Sequence, residues 1–440
     1  MTAPSCRRLL VLVAALAAGV VAIAVAVVLP GSGDLPAMSV PPLPGPASAA
    51  GIARQHEIEH LLKERSAAVL DRDRGGFMAT LDPQAKTFRR TQSRMFADIA
   101  AVPIRSWSYS VTATRRAAPP NASRYGAPTW APEYFALHYR LDGFDPWPTT
   151  LQQYPTFVER GGRWYLASLT DYAPRHLVSA TDIWDYGPVK VLRRPGVLVL
   201  GSATQTSIMT EVARQVRAAI DPVTAVWGRS WARRAVVLVP ATMHEMALID
   251  GYRGDLRNLA ALTSAEVSTT AGSPAPVGDR ITVNPVNWPR LSEIGASVVI
   301  RHELTHVATR AATGTQTPTW LSEGFADYVG FRTAPVSVAV AAAALDKAIA
   351  AGRVPDALPT NRDFRSSNPR LAVHYESAWL ACRFIADHYG ERALVGFYRD
   401  VGTSPNRARR ALADALRDDL HLEPDQFVGR WRRYIENTLG

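Results

Sequence analysis

The sequence predicts an α+β protein: a single amino-terminal transmembrane helix, a small α+β domain, and a larger domain whose strand-rich first half leads into a helical second half. Three observations carry this expectation. Residues 9–29 form an unbroken apolar run; strand-like patterns recur between residues 107 and 169 and again between 197 and 283; and from Ser292 onward nearly every segment has helical spacing. With 440 residues, 47% of them hydrophobic and 20% charged, the chain has apolar material for two packed cores.

The apolar run follows Arg7 and Arg8 and is long enough to cross a hydrocarbon core of about 30 Å as a helix. Positive charge before it, and Gly31, Ser32, Gly33 and Asp34 after it, place the amino terminus in the cytoplasm and the rest outside, as in a single-pass protein of the cell membrane. Secretion after signal cleavage is the alternative, but the run is long for a signal peptide and the nearest Ala-x-Ala, Ala47-Ser48-Ala49, lies far beyond it. This topology separates Cys6 from Cys382, so both are expected as free thiols. Residues 31–50, rich in Pro, Gly, Ser and Ala, read as a linker. The formal charge is +10, yet only four of the 49 basic residues are Lys, and the Arg are scattered without a basic run interleaved with aromatics. That pattern points away from a nucleic-acid partner.

The small domain is expected over residues 51–176. Residues 52–81 and 91–101 have helical spacing, and residues 107–113, 134–141, 154–159 and 163–169 alternate like strands. Helices followed by a strand meander resemble the nuclear-transport-factor-two-like fold, in which a curved sheet wrapped by helices makes a cone. The resemblance implies either a scaffold or a cone that takes up a small molecule.

The larger domain is expected over residues 180–440. It opens with a strand at 197–200, a helix at 204–220 and a strand at 235–239, with further strands at 266–270 and 280–283. The last of these can be either an edge strand offering its backbone to an extended peptide or an interior strand. A helix follows, with Ser292 as its cap, Gly314 as its stop, and an apolar stripe through Val298, Val299, Leu304 and Val307. His302-Glu303-Leu304-Thr305-His306 therefore sits in mid-helix. Residues four apart share a face, so the two imidazoles can meet one ion while Glu303, one position round, faces the water that such an ion activates.

A catalytic zinc ion needs a third protein ligand. Thr317 as cap and Pro318 as first residue open a second amphipathic helix, Trp320-Leu321-Ser322-Glu323-Gly324-Phe325-Ala326-Asp327, which can carry Glu323 against the first. Asp327, one turn beyond, can take up the second ring N–H of a ligand histidine and fix its tautomer.

His302 to His306, followed by Glu323 within Trp-Leu-Ser-Glu-Gly-Phe-Ala, resembles the gluzincin metallopeptidases, particularly aminopeptidase-N-like catalytic cores and peptidase-MA-like domains. The resemblance implies zinc held by His302, His306 and Glu323, with Glu303 as base and then acid in the hydrolysis of peptides or proteins. His374-Tyr375-Glu376-Ser377-Ala378 is similar to the aminopeptidase Tyr-x-Lys-Gly-Ala, which implies that Tyr375 steadies the transition state; His374 is the alternative. The chain lacks the Gly-x-Met-Glu-Asn stretch that holds the substrate amine in aminopeptidases, which favours an endopeptidase. An inert zinc-binding module and a scaffold working through the cone are the alternatives to an enzyme.

The chain also carries an internal control. His56-Glu57-Ile58-Glu59-His60 has the same spacing, but Arg54, Gln55 and Lys63 flank it and no Trp-x-x-Glu-Gly element follows. It reads as the solvated face of a helix.

Overall fold

The computed structural model describes residues 8–15, 23–24, 49–268 and 275–440, and side chains over 49–265 and 278–440. The expected transmembrane helix is corrected. Within the apolar run the described parts, Arg8–Ala15 (β1) and Ile23–Ala24 (β2), are strands, and the rest of the run lies outside the described residues. Among the described residues no helix is long and apolar enough to cross a membrane, so the single-pass membrane placement has no support. A continuous run of Leu, Val and Ala satisfies a buried strand as well as a spanning helix, and its periodicity does not separate them. Cys6 and nearly all of the expected linker also lie outside the described residues.

The described chain forms two compact units, residues 49–190 and residues 191–440 with β1 and β2. In the first, Ala49–Leu70 (α1), Arg74–Ala79 (α2) and Lys86–Asp98 (α3) precede two three-stranded antiparallel sheets. One sheet joins Ile104–Val111 (β3), Phe135–Leu141 (β5) and Thr149–Gln152 (β6). The other joins Thr129–Trp130 (β4), Thr156–Arg160 (β7) and Arg163–Ser168 (β8). The single helix expected over 52–81 is broken at Arg72, whose φ of 58° lies in the left-handed region. Four charged residues, Asp71 to Arg74, supply no apolar face to continue it.

In the second unit a seven-stranded sheet has the order β2-β1-β12-β13-β11-β10-β9. Its remaining strands are Val189–Arg194 (β9), Val197–Ser202 (β10), Ala235–Val239 (β11), Leu259–Ser268 (β12) and Ala275–Val283 (β13). The expected α+β class is corrected here to mixed α/β. β10 and β11 are parallel neighbours joined by the helix Thr206–Trp227 (α4), β13 runs parallel to β11, and β12 is antiparallel to β13 and β1. The continuous apolar runs of β10 and β11, almost wholly buried, are what a parallel sheet covered on both faces requires. β13 lies between β12 and β11, so it is the interior strand and not an edge.

The helices of this unit are Met243–Ile249 (α5), Glu293–Thr309 (α6), Thr319–Phe331 (α7), Val338–Ala341 (α8), Ala343–Ala350 (α9), Leu371–Tyr389 (α10), Glu391–Thr403 (α11), Ala408–Leu420 (α12) and Pro424–Leu439 (α13). One apolar core runs from Val197 and Val237 through Val299, Phe325 and Tyr375 to Phe427 and Trp431. Two glycines set how closely the central helices approach. A Cβ on Gly324 would lie 2.2 Å from the Ala378 carbonyl oxygen, and one on Gly330 would lie 3.1 Å from that of Val298. Glycine at these points lets α7 press against α10 on one side and α6 on the other, which brings all three helices to the site.

Candidate metal centre

α6 begins where Ser292 accepts a hydrogen bond from the Gly295 N–H at 3.1 Å, as its sequence foretold. It ends at Thr309 and tightens into one turn over Arg310–Ala312, before the expected stop at Gly314. The cap of α7 differs: Pro318 holds that position, and the Thr317 hydroxyl instead accepts from the Gly314 N–H at 3.0 Å.

His302, Glu303, His306 and Glu323 are all buried, three of them completely and His306 to 3% exposure. His302, His306 and Glu323 converge: one ligand atom from each lies within 4.8 Å of the others. The two Nε2 atoms are 2.9 Å apart, and Glu323 Oε2 is 3.4 Å from that of His302 and 3.5 Å from that of His306. Ligands of a tetrahedral zinc ion, at about 2.0–2.2 Å from it, stand about 3.3 Å from one another. Both Glu323 carboxylate oxygens are buried, and among the described residues neither has a hydrogen-bond partner. Two imidazole nitrogens and an unsatisfied carboxylate in a dry site cost free energy unless a cation sits among them, so the donor set fits zinc.

Asp327 reaches His302 Nδ1 at 2.7 Å. A carboxylate there holds the proton on Nδ1 and turns the Nε2 lone pair toward Glu323 and His306. Burial alone would lower the basicity of His302, but Asp327 and then Glu323 outweigh it and raise its pKa. His306 is pushed down by burial, against the opposing pull of Glu323. Glu323 is held below the usual carboxylate range despite its burial, by His306 first and His302 with it. Asp327 is raised by burial to about 6.

Glu303 points beside this cluster. Burial raises its pKa to about 8, against the opposing pull of His302 and of a 2.5 Å hydrogen bond donated by the Thr263 hydroxyl to Oε2. Its Oε1 has no hydrogen-bond partner among the described residues and is free to take a proton. Thr263, on β12, escaped the sequence reading because the strand was expected only from residue 266. The signal was present in Leu259-Ala260-Ala261-Leu262-Thr263, where a polar side chain interrupts an apolar strand. Arg310, one turn past His306, was also missed; its Nε donates to Asp279 Oδ1 at 2.8 Å.

Tyr375, on α10, is fully buried, its ring edge-on to Phe364 at 4.9 Å. Its hydroxyl has no hydrogen-bond partner among the described residues, and burial with the charges of Glu323 and Asp327 raises its pKa well above the ordinary value. His374 is turned elsewhere, with Nε2 3.8 Å from Asp363 Oδ1. Cys382, on the same helix, is a buried free thiol. His56 and His60 on α1 are exposed and join no metal-binding group among the described residues.

No family model and no curated protein matches the chain. Among solved structures it is similar to native yeast LTA4 hydrolase, at 13% identity and a TM-score of 0.36, over 63% of this chain and 43% of that one. It is similar to a two-domain M1 zinc metallopeptidase bound to L-arginine, at 16% identity and a TM-score of 0.33, over 72% of this chain and 62% of that one. A variant of an M1 zinc metallopeptidase from Deinococcus radiodurans gives 16% identity and a TM-score of 0.31, over 64% of this chain and 59% of that one. The chain thus spans between 43% and 62% of the length of these three structures. The chemistry of the site rests on the residues described above.

Proposed function

We propose that the chain is a zinc-dependent metallopeptidase in which His302, His306 and Glu323 hold the metal and Glu303 is the general base. The observation that carries this reading is the convergence of three buried donors beside a fourth buried carboxylate with an unpartnered oxygen. When bound, zinc would act as a Lewis acid and lower the pKa of water toward 7. Glu303 Oε1 takes the proton from the attacking water and returns it to the leaving amine, a task suited to a carboxylate whose proton affinity burial has raised. Thr263 fixes the other oxygen, so the base presents one atom to its work. Tyr375 supplies an O–H to the oxyanion that develops at the peptide carbonyl, and the lack of a competing partner for its hydroxyl supports that role. Asp327 orients His302.

The substrate is read as a peptide or protein cut internally, since the chain has no Gly-x-Met-Glu-Asn stretch to hold a free amino terminus. The amino-terminal unit is read as nuclear-transport-factor-two-like, over residues 51–176, and the peptidase domain as residues 180–440. A peptide-library digest with and without chelator tests the activity. Chelator-sensitive cleavage within the peptides supports the reading; no cleavage by zinc-loaded protein contradicts it and leaves an inert zinc-binding module.

A further inference from the structure

In the first unit, the buried guanidinium of Arg65 is hydrogen-bonded to no carboxylate among the described residues. Arg65, on α1, is 2% exposed and lines a cavity of about 20 Å³. Its guanidinium makes three hydrogen bonds, all to neutral groups: Nε to the Tyr109 hydroxyl at 3.1 Å, Nη1 to the Thr80 hydroxyl at 3.1 Å, and Nη2 to the Gln92 side-chain oxygen. Phe77 covers one face, with the guanidinium carbon 3.8 Å from the ring centroid. Five N–H groups are available and three are used.

Tyr109 repeats the pattern from the other side. Its oxygen accepts from Arg65 and also from the Trp107 indole N–H at 2.9 Å, while its own proton meets no acceptor among the described residues. The rest of the lining is mainly apolar, including Met95, Phe135, Leu151 and Trp184. Asp185 is also in the lining, but it makes no ion pair with Arg65; its carboxylate accepts from the Asp182 N–H at 2.8 Å.

A buried guanidinium hydrogen-bonded only to neutral groups is expensive to keep, because taking a charge out of water costs more than neutral hydrogen bonds return. A water molecule can occupy the spare N–H groups but brings no negative charge. A guest no larger than one or two waters that accepts from both Arg65 and the Tyr109 O–H and is negative supplies the missing charge, and the Asp185 carboxylate in the same lining favours a single charge over a higher one. We propose that the cavity at Arg65 is a binding site for a compact monovalent anion, of halide size, held by the guanidinium and the Tyr109 hydroxyl. The site is independent of the peptidase reading and stands or falls separately from it.

The test uses the whole chain. Unfolding midpoints are measured as chloride replaces gluconate at constant ionic strength, and crystals soaked in bromide are examined for anomalous density. The expected result is a midpoint that rises with the logarithm of chloride concentration, as for a ligand that binds only the folded state, and a bromide peak within hydrogen-bonding distance of Arg65 and Tyr109. Arg65→Met should abolish both. Should that variant fail to fold, Tyr109→Phe keeps the test open, since it removes one donor to a charged acceptor and should weaken halide binding about 10-fold or more. No bromide peak at Arg65 together with a chloride-insensitive midpoint, or halide binding unchanged in Tyr109→Phe, would overturn the proposal.

Discussion

Two helices of this chain carry histidines with identical spacing and a Glu after the first, and they end differently. On α1, His56 and His60 face solvent and only Ile58 between them is buried; His60 stands 3.6 Å from Glu64, and Gln55 bonds Glu59. On α6, His302, Glu303, Leu304, Thr305 and His306 are all buried, and the two histidines and the Glu each meet a residue from another element: Asp327 and Glu323 from α7, Thr263 from β12. Spacing places two imidazoles on one face; it does not decide what that face meets. A metal site needs a third ligand and a dry surround, and α7, held close by Gly324 and Gly330, carries the proposed ligand Glu323 and helps to enclose it.

If that contrast is right, substitutions on α6 and its partners should change chemistry, and those on α1 should not. The largest effect is expected for Glu303→Gln, which keeps the size of the side chain but cannot accept a proton. It should lower kcat by about 10²- to 10⁴-fold while zinc content holds, as measured by peptide cleavage and metal analysis on one preparation. Tyr375→Phe should lower kcat by about 10²- to 10³-fold with KM little changed, because the oxyanion forms only as the reaction proceeds. An unaltered kcat would return Tyr375 to a packing role. Asp327→Asn should weaken zinc affinity by about 10- to 100-fold, read by competition with a chelator.

A smaller effect is expected at Thr263. Its hydroxyl stabilises the ionised form of Glu303, so Thr263→Val should raise the pKa of that carboxyl further. The acidic limb of the pH profile of kcat/KM, where the base must lose its proton, should then move to higher pH by about one unit. A shift to lower pH would contradict the proposed role of the Thr263 bond.

Much of the site was legible because its parts are local. The spacing of His302 and His306, the Ser292 cap and the turn from Glu323 to Asp327 each lie within a few residues on a helix, and helical geometry fixes them. What escaped was set by packing between distant segments. Thr263 reaches Glu303 across 40 residues of sequence, through a strand whose start was placed too late. The sheet was mistaken for one segregated from its helices because the long helical stretch after Ser292 outweighed a single β10-α4-β11 crossover. The apolar run at residues 9–29 fits a strand as well as a membrane helix, and only a partner decides between them; β12 is that partner for β1.

Metal content tests the central claim most directly. The purified chain, His302→Ala, Glu323→Ala and the double variant His56→Ala/His60→Ala would be loaded with zinc, desalted and analysed together. The account predicts about one zinc per chain in the wild type and in the α1 double variant, and loss of most of it in the two α6 and α7 variants, each of which removes one of three protein ligands. Full zinc retention by both His302→Ala and Glu323→Ala, or its loss from the α1 double variant, would contradict it.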